Sequence, residues 1–414
     1  MQLAGIVYWA IAILFVLNVS IVLLTVGVKA ARTLRIGWYK RHLRRIEPAL
    51  ENYVITGEDQ PELEVLRPWQ KDVFVSHLIV ERMALVRGSG KEHLRRLAER
   101  LGLVDRYLKD LDSRRRWRRA LAAENLGYFG GERSIRPLGK LLADPDETVR
   151  AVAARALARI GTPEAAGILA KTLDDPSELT RLRVAENLER IGPPSVGPLI
   201  GVLENARGAE EHRVLHGATQ AAQVLGQLRA QETRTVLGRA ALEGNSVDLR
   251  ARATFALGKI GDPDDLGNLL AAAEDEEWQV RAQAASSLGM IGDVSTIPTL
   301  RKLTLDREWW VRMNASRALA NMGPAGERAL ARLLESEDRF ARDRAAATLE
   351  ERDIIRRVVG DLTAPGERGE SARAMTRAMV KAGAVHYLER LARTLPDEGA
   401  RVALRQTIGE ARES

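Results

Sequence analysis

Cysteine is absent from the 414 residues. That excludes disulfides, thiolate metal sites and a cysteine nucleophile. Aromatic residues amount to only 4%, and abundant alanine takes their place, a balance that suits close-packed helices and argues against a β fold. Histidines are six and scattered: His42, His77, His93, His212, His216 and His386. His212 and His216 share a helical i, i+4 spacing beside Glu211, but two imidazoles without a third ligand do not make a metal site. Gly88-Ser89-Gly90 is not followed by the Gly-Lys-Ser/Thr of a phosphate cradle, and it reads as a loop. No Ser-His-Asp arrangement and no paired-carboxylate motif is present. The residues therefore point to no catalytic, cofactor-binding or metal site, and the expectation is a protein that is not an enzyme.

Charge is missing altogether from residues 1–28. Roughly 20 apolar residues cross the hydrocarbon of a bilayer, and Leu3 to Val28 is long enough to do so with tilt. A cleavable signal peptide would carry its positive charge before a shorter apolar stretch. Here the basic residues follow the apolar run, so a retained single-pass anchor is expected. Lys29, Arg32, Arg35, Lys40, Arg41, Arg44 and Arg45 stand against one acid, Glu47, and hold most of the net charge of +7. Basic residues next to a span mark its cytoplasmic side. Together with Trp38 and Tyr39 they are the expected membrane-interface residues of a protein in a bacterial inner membrane, its N-terminus outside and the rest in the cytoplasm. The remainder of the chain is nearly neutral, so the basic balance is not a general nucleic-acid signal.

From about Arg119 to Leu349 the chain repeats itself. Arg119, Arg150 and Arg181 are spaced by 31 residues, as are Arg250, Arg281 and Arg312. Each is followed eleven residues later by a glycine: Gly130, Gly161, Gly192, Gly261, Gly292 and Gly323. A constant period of this size marks a solenoid. Each unit has an acidic or Gly/Asn turn, an alanine-rich first helix closed by glycine, then a second helix with Leu or Ile on one face. Neither helix can bury its apolar stripe alone, so the units must stack. A fourth unit is expected around Gly226, with loops near 204–211 and 243–247 absorbing extra residues. The turn aspartates are expected to start helices and to face the register arginines of neighbouring units.

Stretches such as LLADPDETVRAVAARALARIG and DEEWQVRAQAASSLGMIGD resemble HEAT repeats, in the short bacterial form also found in phycobilisome lyases. The resemblance implies an all-α fold, an α-solenoid of about seven HEAT-like repeats, to which the apolar run adds one N-terminal transmembrane helix. The expected organisation is an anchor over 1–28, a basic juxtamembrane segment over 29–50 and a helical cap over 51–112. HEAT-like repeats over 113–350 and a helical C-terminal cap over 351–414 complete it. Such repeats serve scaffolds, enzymes and nucleic-acid binders alike, so fold alone does not assign a role. HEAT-like hydroxylases carry His-Glu pairs; Glu92-His93 and Glu211-His212 run in the opposite order.

The expected role is a membrane-tethered scaffold that docks a protein partner, as an accessory subunit of an envelope glycosyltransferase or polysaccharide-export system. Small-molecule and nucleic-acid partners are not expected. The alternatives are a lyase or hydroxylase of the HEAT-like kind and a membrane-tethered nucleic-acid binder. The second helices are expected to line the concave face, offering Arg136, Lys140, Lys171, Arg239, Arg301, Lys302 and Arg332 to that partner. Trp278 and Trp309 stand one repeat apart, with Trp310 beside the second, and read either as an aromatic ridge for the partner or as plugs of the inter-repeat seam. Arg114 to Arg119 around Trp117 reads as the solvated start of the first repeat or as a phosphate-gripping cluster.

Overall fold

A computed structural model describes residues 17–27, 29, 33, 46–64, 66, 76–175, 177–381 and 383–413. All regular structure among them is helical. The chain divides into two compact units, Met1–Ile160 and Gly161–Ser414.

In the first unit the helices are α1 (Pro61–Glu64), α2 (Ser76–Leu85), α3 (Ser89–Arg100), α4 (Leu103–Asp110), α5 (Arg116–Phe129), α6 (Ile135–Lys140) and α7 (Glu147–Ile160). The glycines at 88 and 102 take positive φ and break the chain before α3 and α4. Helix α5 packs on α4 on one side and α7 on the other. Phe129, Leu126, Ile135 and Leu138 form the fully buried centre of this repeat.

The second unit holds the alanine-rich first helices α9 (Glu178–Ile191), α11 (His212–Leu228), α13 (Val247–Ile260), α15 (Trp278–Ile291), α17 (Trp309–Asn321) and α19 (Arg339–Glu351). The intervening second helices are α8 (Pro163–Ala170), α10 (Val196–Asn205), α12 (Arg234–Glu243), α14 (Leu266–Ala272), α16 (Ile297–Leu303), α18 (Gly323–Leu333) and α20 (Ile354–Gly360). Helices α21 (Glu367–Lys381), α22 (Val385–Thr394) and α23 (Glu398–Glu413) close the unit.

Backbone conformation corrects the register of the fourth unit. Among the described residues, two other than glycine have positive φ, Arg229 at 51° and Asp353 at 54°. Both occupy the glycine position of a repeat, with Leu225 and Leu349 four residues before them, as Leu257 stands before Gly261. The fourth unit is therefore closed by Arg229, not Gly226. Residue 229 lies 37 after Gly192, six beyond the period of 31, and 32 before Gly261. The insertion sits in the turn after Asn205 and in α11, which has 17 residues where α9 and α13 have 14. The stretch up to the turn at 243–247 absorbs only one residue. Arg342 similarly continues the register of arginines, eleven residues before Asp353.

A left-handed conformation disfavours any residue with a Cβ, by about 1–2 kcal/mol. Arg229 is exposed, so its replacement removes little packing. Arg229→Gly is expected to stabilise the fold by about 0.5–1 kcal/mol, less than the full penalty because glycine also loosens the unfolded chain. Urea unfolding measures it; an unchanged or lower midpoint contradicts the register assigned to this turn.

Among the described residues no helix is long and apolar enough to cross a membrane. Of the expected anchor, 1–16 and 28 lie outside the described residues. Residues 17–27 are helical, and Leu17, Val22, Leu23, Leu24 and Val26 are exposed along them. Lys29 is helical and exposed. Arg32, Arg35, Trp38, Tyr39, Lys40, Arg41, Arg44 and Arg45 lie outside the described residues.

Candidate docking surface

Two rows of side chains fix how successive first helices sit. The first is the arginine register. Arg119, Arg150, Arg181, Arg250, Arg281, Arg312 and Arg342 each donate through Nη1 to the carbonyl six residues upstream, at 2.6–3.1 Å. Three of them also form two-pronged pairs with the aspartate of the next turn: Arg119 with Asp144, Arg250 with Asp275 and Arg281 with Asp306, at 2.7–3.1 Å. Each of these aspartates also accepts the amide two residues on, from Asp146, Glu277 and Glu308. One carboxylate thus shapes its own turn and ties it to the preceding repeat.

The pairing is written into the acidities. The Arg119 hydrogen bond holds Asp144 below the usual carboxylate range, against burial. Burial alone would raise Asp275 and Asp306, yet hydrogen bonds from Arg250 and Arg281 and from the turn amides hold both below that range.

The second row is glycine, three residues before four of the caps, Gly130, Arg229, Gly261 and Gly292. Gly127 lies against Ala156, Gly226 against Ala256, Gly258 against Ser287 and Gly289 against Ala318. A Cβ on any of these glycines would fall 2.7–2.8 Å from the neighbour's Cα. Helix α5 is therefore in backbone contact with α7, and each of α11, α13 and α15 with the first helix that follows it. Second helices meet instead through buried leucines such as Leu199, Leu237, Leu269 and Leu300.

A groove runs along the first helices. Its volume is about 440 Å3, and α9, α11, α13 and α15 all contribute to its walls, through Glu178, His216, Gln220, Asp248, Arg252 and Gln279 among others. The lining is polar and of both signs. The carbonyl oxygens of Gln220 and Gln279 are buried there without a hydrogen-bond partner. His216 packs edge-on against His212, ring centres 4.1 Å apart. Burial, then the charges of His212 and Arg181, pulls His216 below the ordinary imidazole value. Among the described residues there is no group of three or more His, Asp or Glu placed to hold a metal.

Beyond the groove the first-helix surface becomes aromatic. Trp309 and Trp310 are 47% and 52% exposed and meet edge-to-face at 4.7 Å. Phe340, at the start of α19, is 65% exposed and lies under the Arg312 guanidinium at 5.1 Å. Trp278 is half-buried. The exposed aromatic surface is thus Trp309, Trp310 and Phe340, one repeat further along than the pair at 278 and 309. Phe340 becomes legible only once Arg342 is recognised as a register arginine.

The expected second-helix cations do not converge. Arg136, Lys140, Lys171, Arg301 and Arg332 are exposed. Lys302 is tied to Glu274 at 2.6 Å, and Arg239 to Glu204 at 2.5 Å, beside a hollow of about 40 Å3. Arg332 lines a separate cleft of about 450 Å3 between α18 and α21, with Arg328, Glu335, Glu367 and Glu370.

The family description that matches this chain in sequence is "HEAT repeats", over residues 103–189 and 266–350. The two matched segments together cover less than half of the chain. No curated protein matches the chain. Among solved structures it is similar to an engineered protein, 20% identical over 82% of this chain and 99% of that one, with a TM-score of 0.35. It is also similar to the CpcE–CpcF complex of phycocyanin lyase from Nostoc sp. PCC7120, 18% identical over 60% and 94% of the two chains, with a TM-score of 0.30. A third is the karyopherin Kap121p bound to Nup53p, 14% identical over 85% of this chain and 46% of that one, with a TM-score of 0.46. The HEAT segments of this chain include the register arginines from Arg119 to Arg181 and from Arg281 to Arg342.

Proposed function

We propose that this chain is a scaffold that docks a protein partner on the first-helix face of its second unit, while an N-terminal segment tethers it to a bacterial inner membrane. The observation that carries the docking reading is the polar groove crossing four successive first helices, bordered by exposed Trp309, Trp310 and Phe340. Exposed aromatics beside partly desolvated polar groups are the composition of interface anchors. The tether rests on the charge-free run 1–28, the basic residues after it and the exposed apolar side chains of 17–27. With the HEAT-repeat solenoid in the cytoplasm, tethering raises the effective concentration of a membrane-associated partner, so individual contacts can be weak. An accessory subunit of an envelope glycosyltransferase or polysaccharide-export machine fits this arrangement.

Site-specific photocrosslinking in native membranes tests the surface. Probes at Arg252 and Trp310 are expected to capture one common partner, and probes at Arg136 and Lys171 to capture little. Capture confined to Arg301 and Lys302 would move the docking surface to the second helices. If no position yields a defined product, the scaffold reading fails.

A further inference from the structure

The start of α5 breaks a rule that the other first helices keep. Helix N-termini carry partial positive charge, and the favoured residues there are acids or capping hydroxyls. Helix α13 begins with Ser246 capping Leu249 and has Asp248 in its first turn; α9 has Ser177 and Glu178. Helix α5 begins at Arg116 with Arg115 at the cap, no side-chain cap and no acid in its first turn. Between Ser113 and Ala123 there are five arginines and no acid. Arg119 is used by the seam with Asp144, and Arg116, 77% exposed, reaches Asp146 at 3.2 Å. Arg114, Arg115 and Arg118 are exposed, and among the described residues none has a carboxylate partner. Three guanidinium groups crowded at the positive end of a helix repel one another and the helix itself, and only an anion from outside relieves that.

The apolar side chains say which anion. Trp117 is 55% exposed and Leu121, one turn later on the same face, 49% exposed. The Arg118 guanidinium lies 5.5 Å from the Trp117 ring centre. A polyanion in water gives an exposed leucine nothing, whereas a bilayer interface takes up tryptophan and leucine at the level where arginine meets phosphate. Its free arginines also lie within little more than a single helical turn, short of the several phosphate contacts a nucleic-acid tract needs. We propose that this arginine–tryptophan patch docks the first unit onto an anionic phospholipid surface, Trp117 and Leu121 entering the interface and Arg114, Arg115 and Arg118 taking headgroup phosphates. The surface is the one to which the proposed tether, in the same unit, brings it, so the inference draws on that reading.

The absence of cysteine makes the test direct, because Leu121→Cys supplies the only thiol for a fluorescent label. The full chain is combined with vesicles of phosphatidylglycerol or of phosphatidylcholine, each containing headgroup-quencher lipids. Quenching at position 121 is expected with phosphatidylglycerol and not with phosphatidylcholine. Changing Arg114, Arg115 and Arg118 to Gln is expected to weaken that contact about fivefold for each arginine removed. Resistance to carbonate extraction is measured on the same samples and reads the tether alone. A chain that resists extraction but stays unquenched at 121 overturns the patch and leaves the tether standing. Quenching without extraction resistance supports the patch and removes the tether. Equal quenching in both lipids overturns the patch, as does salt-dependent binding of a DNA duplex through the same arginines without any lipid contact.

Discussion

Replacing Gly289 by alanine should destabilise the second unit by about 1–3 kcal/mol, and valine should do so by more. The direction opposes intrinsic propensity, since alanine is about 1 kcal/mol better than glycine inside a helix. Packing decides the sign. A Cβ at Gly289 would lie 2.5 Å from the Ala318 Cβ and 2.7 Å from its Cα. Both helices are held by neighbours on either side, so neither can retreat without opening the next seam. Gly267 in α14 is the control: a methyl group there would meet nothing within 4 Å, and Gly267→Ala should be neutral or stabilising. Urea unfolding of the three variants checks the ordering, and Ala318→Gly should restore part of what Gly289→Ala loses. A Gly289→Ala variant as stable as the parent chain would mean that the first helices are not in backbone contact.

That contact is the part of the fold the sequence conceals. Its period is plain, because arginine and glycine recur at fixed offsets and few residues satisfy a turn carbonyl and a left-handed cap. The glycines three residues before four of the caps belong to the same pattern, but a helical glycine usually signals weakness rather than close approach, so Gly226 reads as a cap in the sequence. The true cap, Arg229, carries no sequence sign of positive φ. The insertion before it consequently reads as two enlarged turns, whereas the structure gives it to one turn and the start of α11. Of the candidate site, the Trp309–Trp310 pair is legible, since large aromatics are scarce here. The groove is not. Its walls come from four successive first helices, brought side by side by contacts that no single repeat's pattern carries.

The arginine register yields the second large effect. Arg281→Ala should destabilise the second unit by about 2–3 kcal/mol at neutral pH, most of it from stranding Asp306. The side chains of Arg281 and Asp306 are only 11% and 10% exposed, so water replaces little of what is lost. The variant gives up two bonds to Asp306 and two to the carbonyls of Asp275 and Glu276. Arg281→Lys should recover only part, because an ammonium cannot present the planar fork that meets both carboxylate oxygens. Acidity supplies the check that separates the ion pair from simple packing. Asp306 is held below the usual carboxylate range in the folded chain. A depressed folded value means stabilisation fully present above the unfolded value of about 4 and lost as pH falls through the folded one. The gap between parent and Arg281→Ala should therefore be widest near neutrality and narrow below about pH 4, as Asp306 takes up its proton in the parent chain. A gap that stays constant from about pH 7 to about pH 3 would assign the loss to the carbonyl bonds and the buried arginine stem, and the carboxylate would then be a turn-former only.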